Sequence, residues 1–162
     1  MLLEEREKVL KTGIKGFREL MVTGENTASA LGSGRLCVLA TPALAGLVER
    51  TCWESVEPLL EEGETTVGTA LAIKHLAPTP VGMKVWCESR LVQADGRRMV
   101  FQAEVFDESG KIGEGEHERF LVRAERFQQK ADAKGNLQQG KEQEINYKIQ
   151  SDSGENQSDP GE

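Results

Sequence analysis

Three residues of this 162-residue chain are of the kinds that together make a hydrolytic site: Thr41, Glu49 and His75. A hydroxyl can hold a water or a carboxylate. A carboxylate can take a proton or attack a carbonyl, and an imidazole can polarise the carbonyl or protonate a leaving group. Glu49 stands among Leu44, Leu47, Val48 and Val56, and burying an unpaired charge is costly, so its position asks for a reason. Each residue also has a plainer reading. His75 can be a histidine at the edge of the core with one hydrogen bond, and Glu49 a solvated helix residue.

The elements around these residues set what they can reach. Thr41 reads as an N-cap and Pro42 as the first helical residue. The helix then runs to about Leu60, with Leu44, Leu47, Val48, Cys52, Val56, Leu59 and Leu60 recurring at three- and four-residue intervals on one broad face. Glu61-Glu62-Gly63-Glu64 ends it. Before it, residues 16–22 read as a strand and residues 26–34 as a loop of small and polar residues. After it come four β segments, residues 65–76, 82–93, 99–107 and 112–127. Ala77-Pro78-Thr79-Pro80 separates the first from the second. Asp95-Gly96 and Ser109-Gly110 mark tight turns, so the last three segments form two hairpins. A strand, one long helix and four strands imply an α+β arrangement, with the helix against an antiparallel sheet.

Helix geometry limits the chemistry. At 1.5 Å of rise per residue, Thr41 and Glu49 lie roughly 12 Å apart along the axis. They cannot hydrogen-bond directly. If both serve one reaction, they face each other across the substrate, or one comes from a second subunit. By simple alternation His75 shares a strand face with Val67, Thr69, Leu71 and Ile73, while Gly68 lies on the other. The second histidine lies in Gly113-Glu114-Gly115-Glu116-His117-Glu118-Arg119. Glycines there permit a bulge or close ligand approach, and Arg119 is suited to clamp a phosphate or orient a carboxylate. A solvated edge of charged residues explains the glutamates equally well.

The ordered string Ala40-Thr41-Pro42-Ala43-Leu44, Glu49, Thr66-Val67-Gly68-Thr69, His75, Pro80-Val81-Gly82 and residues 113–120 resembles the fluoroacetyl-CoA thioesterase-like group of hotdog-fold thioesterases. The resemblance covers about residues 15–127. It implies a hotdog fold, with a long central helix packed against a curved antiparallel sheet, and a dimer as the minimal unit. It also implies that Thr41, Glu49 and His75 are the catalytic residues. Gly68 would lie beside the thioester and Arg119 near the site, both as substrate-binding positions. The resemblance also leads one to expect aromatic residues guarding the acyl group upstream of the threonine, yet residues 28–40 contain no Phe, Tyr or Trp, which leaves the acyl group open.

On this reading the chain is an acyl-CoA thioesterase for a small or medium acyl group. Coenzyme A enters as part of the substrate, with no separate cofactor. A non-catalytic acyl-CoA-binding module and a hotdog hydratase or dehydratase stand as alternatives. Glu49 would act as base or nucleophile, and the Gly68 N–H as oxyanion donor. Lys74, Lys84, Arg97 and Arg98, which lie in or beside the strands, are candidates to receive the phosphates.

Bulk composition narrows the remainder. A net charge of −7 offers no electrostatic footprint for nucleic acid. No segment is apolar enough for a membrane span, and the first residues lack a signal-peptide core. Three widely spaced cysteines, Cys37, Cys52 and Cys87, suit a reducing, cytoplasmic compartment, and with only two histidines a zinc site is not expected. The hotdog domain is assigned to residues 1–127. Residues 128–162 are rich in Gln, Lys, Asp, Glu, Gly, Ser and Asn, and read as a disordered polar tail.

Overall fold

The computed structural model describes residues 10–154, and side-chain surroundings as far as Gln150. The charged stretch Leu2 to Lys11, whose weak helical period suggests a short leading helix, lies almost wholly outside them. The chain divides into two units, Met1–Val122 and Arg123–Glu162.

In the first unit, β1 (Lys15–Met21) is followed by a single helical turn, α1 (Ala28–Leu31), inside the segment expected as loop. The long helix α2 (Thr41–Val56) comes next, then β2 (Glu64–His75), β3 (Lys84–Asp95), β4 (Arg98–Asp107) and β5 (Gly110–Arg123). The five strands form one sheet in the order β1-β3-β4-β5-β2. β3, β4 and β5 are joined by the two expected hairpins, with Asp95 paired to Arg98 and Asp107 to Gly110. Gly96 takes φ 59°, a left-handed value that glycine adopts without steric cost.

The helix buries Leu44, Leu47, Val48, Thr51, Cys52 and Val56 against the sheet. The core continues into Val85, Cys87, Leu91, Met99, Phe101, Val105 and Ile112. A row of small residues, Gly16, Ser89, Ala103 and Gly115, runs across the sheet from β1 to β5. It lets the helix come close: a Cβ on Gly16 would stand 2.6 Å from the Thr51 carbonyl oxygen and 3.0 Å from Ser55 Cβ.

The helix differs from its sequence reading at both ends. Its N-cap is Ala40, which makes no side-chain cap, so Thr41 is already helical and not the cap expected. Proline is tolerated at the first helical positions because their N–H groups have no partner to lose, so the Thr-Pro pair does not fix the start to the residue. At the other end α2 stops at Val56, and Glu57–Leu59 forms a 3-10 turn containing Pro58. Proline supplies no N–H and crowds the preceding turn, which ends the α-helical ladder early. Leu59 therefore lies 40% exposed and off the buried face.

The described part of the second unit is one helix, α3 (Ala124–Gly154). Composition led to the expectation of a tail without fixed structure. Residues 124–150 are all exposed, as that composition implies, yet the backbone is helical. Gln, Lys, Glu and Ala are good helix formers, and local pairs such as Gln128 to Asp132 (3.0 Å) and Lys148 to Glu144 (3.1 Å) add to them.

Candidate active site

Thr41 and His75 meet. The Thr41 hydroxyl lies 2.9 Å from His75 Nδ1, joining the first turn of α2 to the last residue of β2. A cap would have tied this hydroxyl to its own helix; placed inside the first turn, it points to the neighbouring strand. The other ring nitrogen, His75 Nε2, is shut off from solvent and has no hydrogen-bond partner among the described residues. Burial pushes the His75 pKa below its ordinary value, and the backbone at Ala77 opposes this only in part. Burial thus favours the neutral ring, which the Thr41 hydroxyl holds at Nδ1.

Glu49 is not buried as the sequence pattern suggested. Its side chain is 47% exposed, at the border of the buried face one residue beyond Val48. Its charge is met by Arg119, whose Nη1 lies 3.6 Å from Glu49 Oε2. Arg119 itself is only 6% exposed. It donates from Nε to the Thr66 hydroxyl and from Nη2 to the Thr66 carbonyl, both at 2.8 Å. Burial lowers the Arg119 pKa, and Glu49, Cys52 and Glu57 counter that shift.

His117 joins this group and escaped the sequence-derived set of site residues. It is 1% exposed, with Nδ1 2.8 Å from the Ala70 carbonyl and Nε2 3.1 Å from Arg119 Nη1. A carbonyl only accepts and a guanidinium only donates, so the ring is the neutral Nδ1–H tautomer. Burial lowers the His117 pKa, and the Arg119 charge adds to the effect, against the Ala70 carbonyl and Glu49. A signal for it existed: in β5, Gly113, Gly115, His117, Arg119 and Leu121 alternate with Glu114, Glu116 and Glu118. That pattern places His117 on the same face as Arg119.

Gly68 lies against the same cluster. A Cβ built on it would stand 3.0 Å from Glu49 Oε2, 3.2 Å from His117 Cε1 and 3.3 Å from Arg119 Nη1. The simple alternation along β2 does not hold. Thr66 and Gly68 contact Arg119 and Glu49, whereas farther along the strand Leu71 and Ile73 pack on the core and His75 meets Thr41. The inward parity slips by one between Gly68 and Leu71. Thr69 turns outward, its hydroxyl 2.8 Å from a Glu118 carboxylate oxygen. This irregularity brings Gly68 and His75 to the helix side together, where strict alternation would separate them.

The described chain thus holds two groups on the helix side of β2: Thr41 with His75, and Glu49 with Gly68, Arg119, His117 and Thr66. No contact joins Thr41 to Glu49, as the helical rise requires. Thr41 and Gly68 are exposed and Glu49 is half-exposed. Of the suggested phosphate receivers, Arg98 is paired with Glu118 at 2.6 Å and Lys84 with Glu19 at 3.4 Å, while Arg97 and Lys74 are exposed. A broad depression lined by Phe17, Arg90, Gln102, Glu104 and Glu116, among others, does not include Thr41, Glu49, Gly68 or Arg119. No helix among the described residues is long and apolar enough to cross a membrane.

One long helix against a curled antiparallel sheet of five strands is the hotdog fold. A hot-dog-like protein from Thermanaerovibrio acidaminovorans superposes with a TM-score of 0.72 at 20% identity, over 79% of this chain and 95% of that one. The family model of the fluoroacetyl-CoA-specific thioesterase, FlK, matches residues 22–125, and the chain belongs to that family. It is 38% identical over 93 residues to the fluoroacetyl-CoA thioesterase of Streptantibioticus cattleyicolor, covering 57% of this chain and 67% of that protein. A solved structure of the fluoroacetyl-CoA thioesterase FlK aligns with a TM-score of 0.73 at 30% identity, over 77% of this chain and 97% of that one.

Proposed function

We propose that the protein is an acyl-CoA thioesterase that hydrolyses a small or medium acyl thioester to the free acid and CoA. Membership of the thioesterase family supports the reaction class. The observation that carries the site is the 2.9 Å contact between the Thr41 hydroxyl and a neutral His75 whose second nitrogen has no partner among the described residues.

In the hydrolysis, a water oxygen bonds to the thioester carbonyl carbon and the carbon–sulfur bond breaks. Glu49 takes a proton from the attacking water, with Arg119 keeping the carboxylate oriented. The Gly68 N–H, unshielded by a side chain, faces the developing oxyanion. The proton taken by Glu49 ends on the departing CoA thiolate, while His75, its ring held in place by Thr41, polarises the thioester carbonyl. If Glu49 instead attacks the carbonyl, an acyl–glutamate anhydride forms. Water attack on the glutamyl carbon of that anhydride, in a single turnover in oxygen-18 water, leaves the label in Glu49, an outcome that direct attack of water on the thioester cannot give.

The working unit is a homodimer on this reading. β2 is an edge strand of twelve residues, a ready template for pairing with a second copy. Thr41 and Glu49 are too far apart to share one substrate bond within a single helix, and both are open on the surface. Sedimentation of a monomer with full activity would overturn the shared site. The substrate reaches the enzyme in the cytoplasm, without nucleic acid or membrane partners and without a separate cofactor.

Incubation with a panel of acyl-CoAs and a thiol reagent tests the activity. Thiol release from at least one small or medium acyl-CoA is expected. Binding without release would point to a ligand-binding module. Conversion of an enoyl-CoA to its hydroxyacyl product would point to a hydratase.

A further inference from the structure

His117 takes no part in the reaction as written, yet it is among the most buried polar groups of the chain and both ring nitrogens are engaged. Arg119 has four partners around it: the Thr66 hydroxyl, the Thr66 carbonyl, His117 Nε2 and the Glu49 carboxylate. Thr66 occupies Nε and Nη2. The nitrogen that faces Glu49 is Nη1, and its hydrogen-bond partner is His117.

We propose that His117 is a positioning residue that fixes Nη1 of Arg119 toward Glu49, with the Ala70 carbonyl locking the ring in the tautomer this requires. The proposal rests on the thioesterase reading for its catalytic consequence, but not for the geometry itself. A guanidinium held on Nε and Nη2 alone keeps its plane but can tilt about Thr66. The lone pair at Nε2 removes that freedom on the side facing the carboxylate. A protonated His117 would present an N–H to another N–H donor, so the arrangement holds only while the ring is neutral. The slip in β2 belongs to the same device: the Ala70 carbonyl that fixes the tautomer lies within the irregular stretch between Gly68 and Leu71. Among the described side chains facing His117, Glu49 comes from α2, Phe101 from β4 and Arg119 from β5 itself.

The role differs from that of a core histidine that only fills space. Phe101 packs against the ring, with centroids 6.5 Å apart, and a leucine there would keep much of that contact. It would not return the acceptor. Glutamine would return one.

The test uses the full chain and has two readouts. In kinetics, His117→Leu lowers kcat roughly a hundredfold with little change in KM, the cost of a small misplacement at a reacting group. His117→Gln recovers most of the loss. In the Arg119→Ala background His117→Leu costs little more, because both changes remove one alignment. Additive losses in that cycle overturn the proposal, as does a glutamine variant no better than leucine. The second readout needs no substrate. Nitrogen-15 NMR of the wild type shows an Nδ1–H ring for His117 and a resolved, slowly exchanging Arg119 Nη1–H. In His117→Leu the Arg119 signal broadens or exchanges fast while the remaining spectrum stays dispersed. An unchanged Arg119 signal overturns the proposal. If the wild type releases no thiol from any acyl-CoA, the hydrolase reading falls, and the NMR comparison still decides whether His117 holds Arg119.

Discussion

The Thr41 hydroxyl and His75 Nδ1 are 2.9 Å apart although 34 positions separate them in the chain. The contact exists because Thr41 occupies the first helical turn rather than the cap, and because β2 changes parity before it ends. Thr41→Val keeps the shape and removes the hydroxyl, and turnover is expected to fall about 10²-fold or more. Thr41→Ser keeps the hydroxyl and most of the rate. Steady-state kinetics on the best acyl-CoA distinguishes the two, and equal rates would remove Thr41 from the site.

Glu49→Ala and His75→Ala are each expected to cut turnover by roughly two to four orders of magnitude, the usual size of a general acid–base contribution. Both positions are away from the closest helix–sheet contact, so melting temperature and oligomeric state should stay near those of the wild type. Wild-type rates in either variant would falsify the assignment.

Gly68→Ala inserts a methyl group where Glu49 Oε2, His117 Cε1 and Arg119 Nη1 stand 3.0–3.3 Å away. His117 and Arg119 are fixed by their hydrogen bonds, so the half-exposed Glu49 must yield. Activity should drop at least about tenfold, as expected when a catalytic group is displaced, while folding is preserved. A fully active alanine variant would show that the carboxylate needs no fixed place.

Gly115→Ala addresses the fold alone. Its Cβ would collide with the Ala72 carbonyl oxygen and press on Ile73, which is backbone and core rather than a flexible side-chain end. Overpacking of this kind costs about 1–3 kcal/mol, read as a lower urea midpoint. An unchanged midpoint would mean that β2 and β5 can separate at no cost.

Two histidines have pKa values pushed down by burial, His75 and His117. In the unfolded chain a histidine titrates near 6.5. Below that value the unfolded state binds protons that the folded state resists, so stability present at neutral pH is lost as the pH falls through the folded-state values. The urea midpoint should therefore decline from about pH 7.5 to 5.5, above the range where ordinary carboxylates titrate. His117→Gln removes one titrating ring and should flatten the decline. A midpoint that is level across this window would contradict the burial of both rings.

The sequence by itself carried the layers and the motif string. The period of Leu44, Leu47, Val48, Cys52 and Val56 specified a one-sided helix, and turn glycines such as Gly96 specified hairpins, because both depend on short-range geometry. Family membership followed from the same ordered residues. The Thr41–Glu49 separation was legible too, since helical rise is a property of the backbone.

The site's detailed arrangement was decided elsewhere. Whether Thr41 caps the helix or opens it is a shift of one residue, and only the strand beside it gives its hydroxyl another partner. Gly68 and His75 differ in parity along β2, so an ideal strand would place them on opposite faces; the slip before Leu71 brings both inward. Glu49 is half-exposed because it sits at the border of the helix face that packs on the sheet. The ties of His117 to Arg119 and Ala70 depend on how β5 and β2 lie together. Strand pairing between distant segments and departures from ideal alternation arise from packing of the whole sheet around the helix, and no local pattern of residues encodes them.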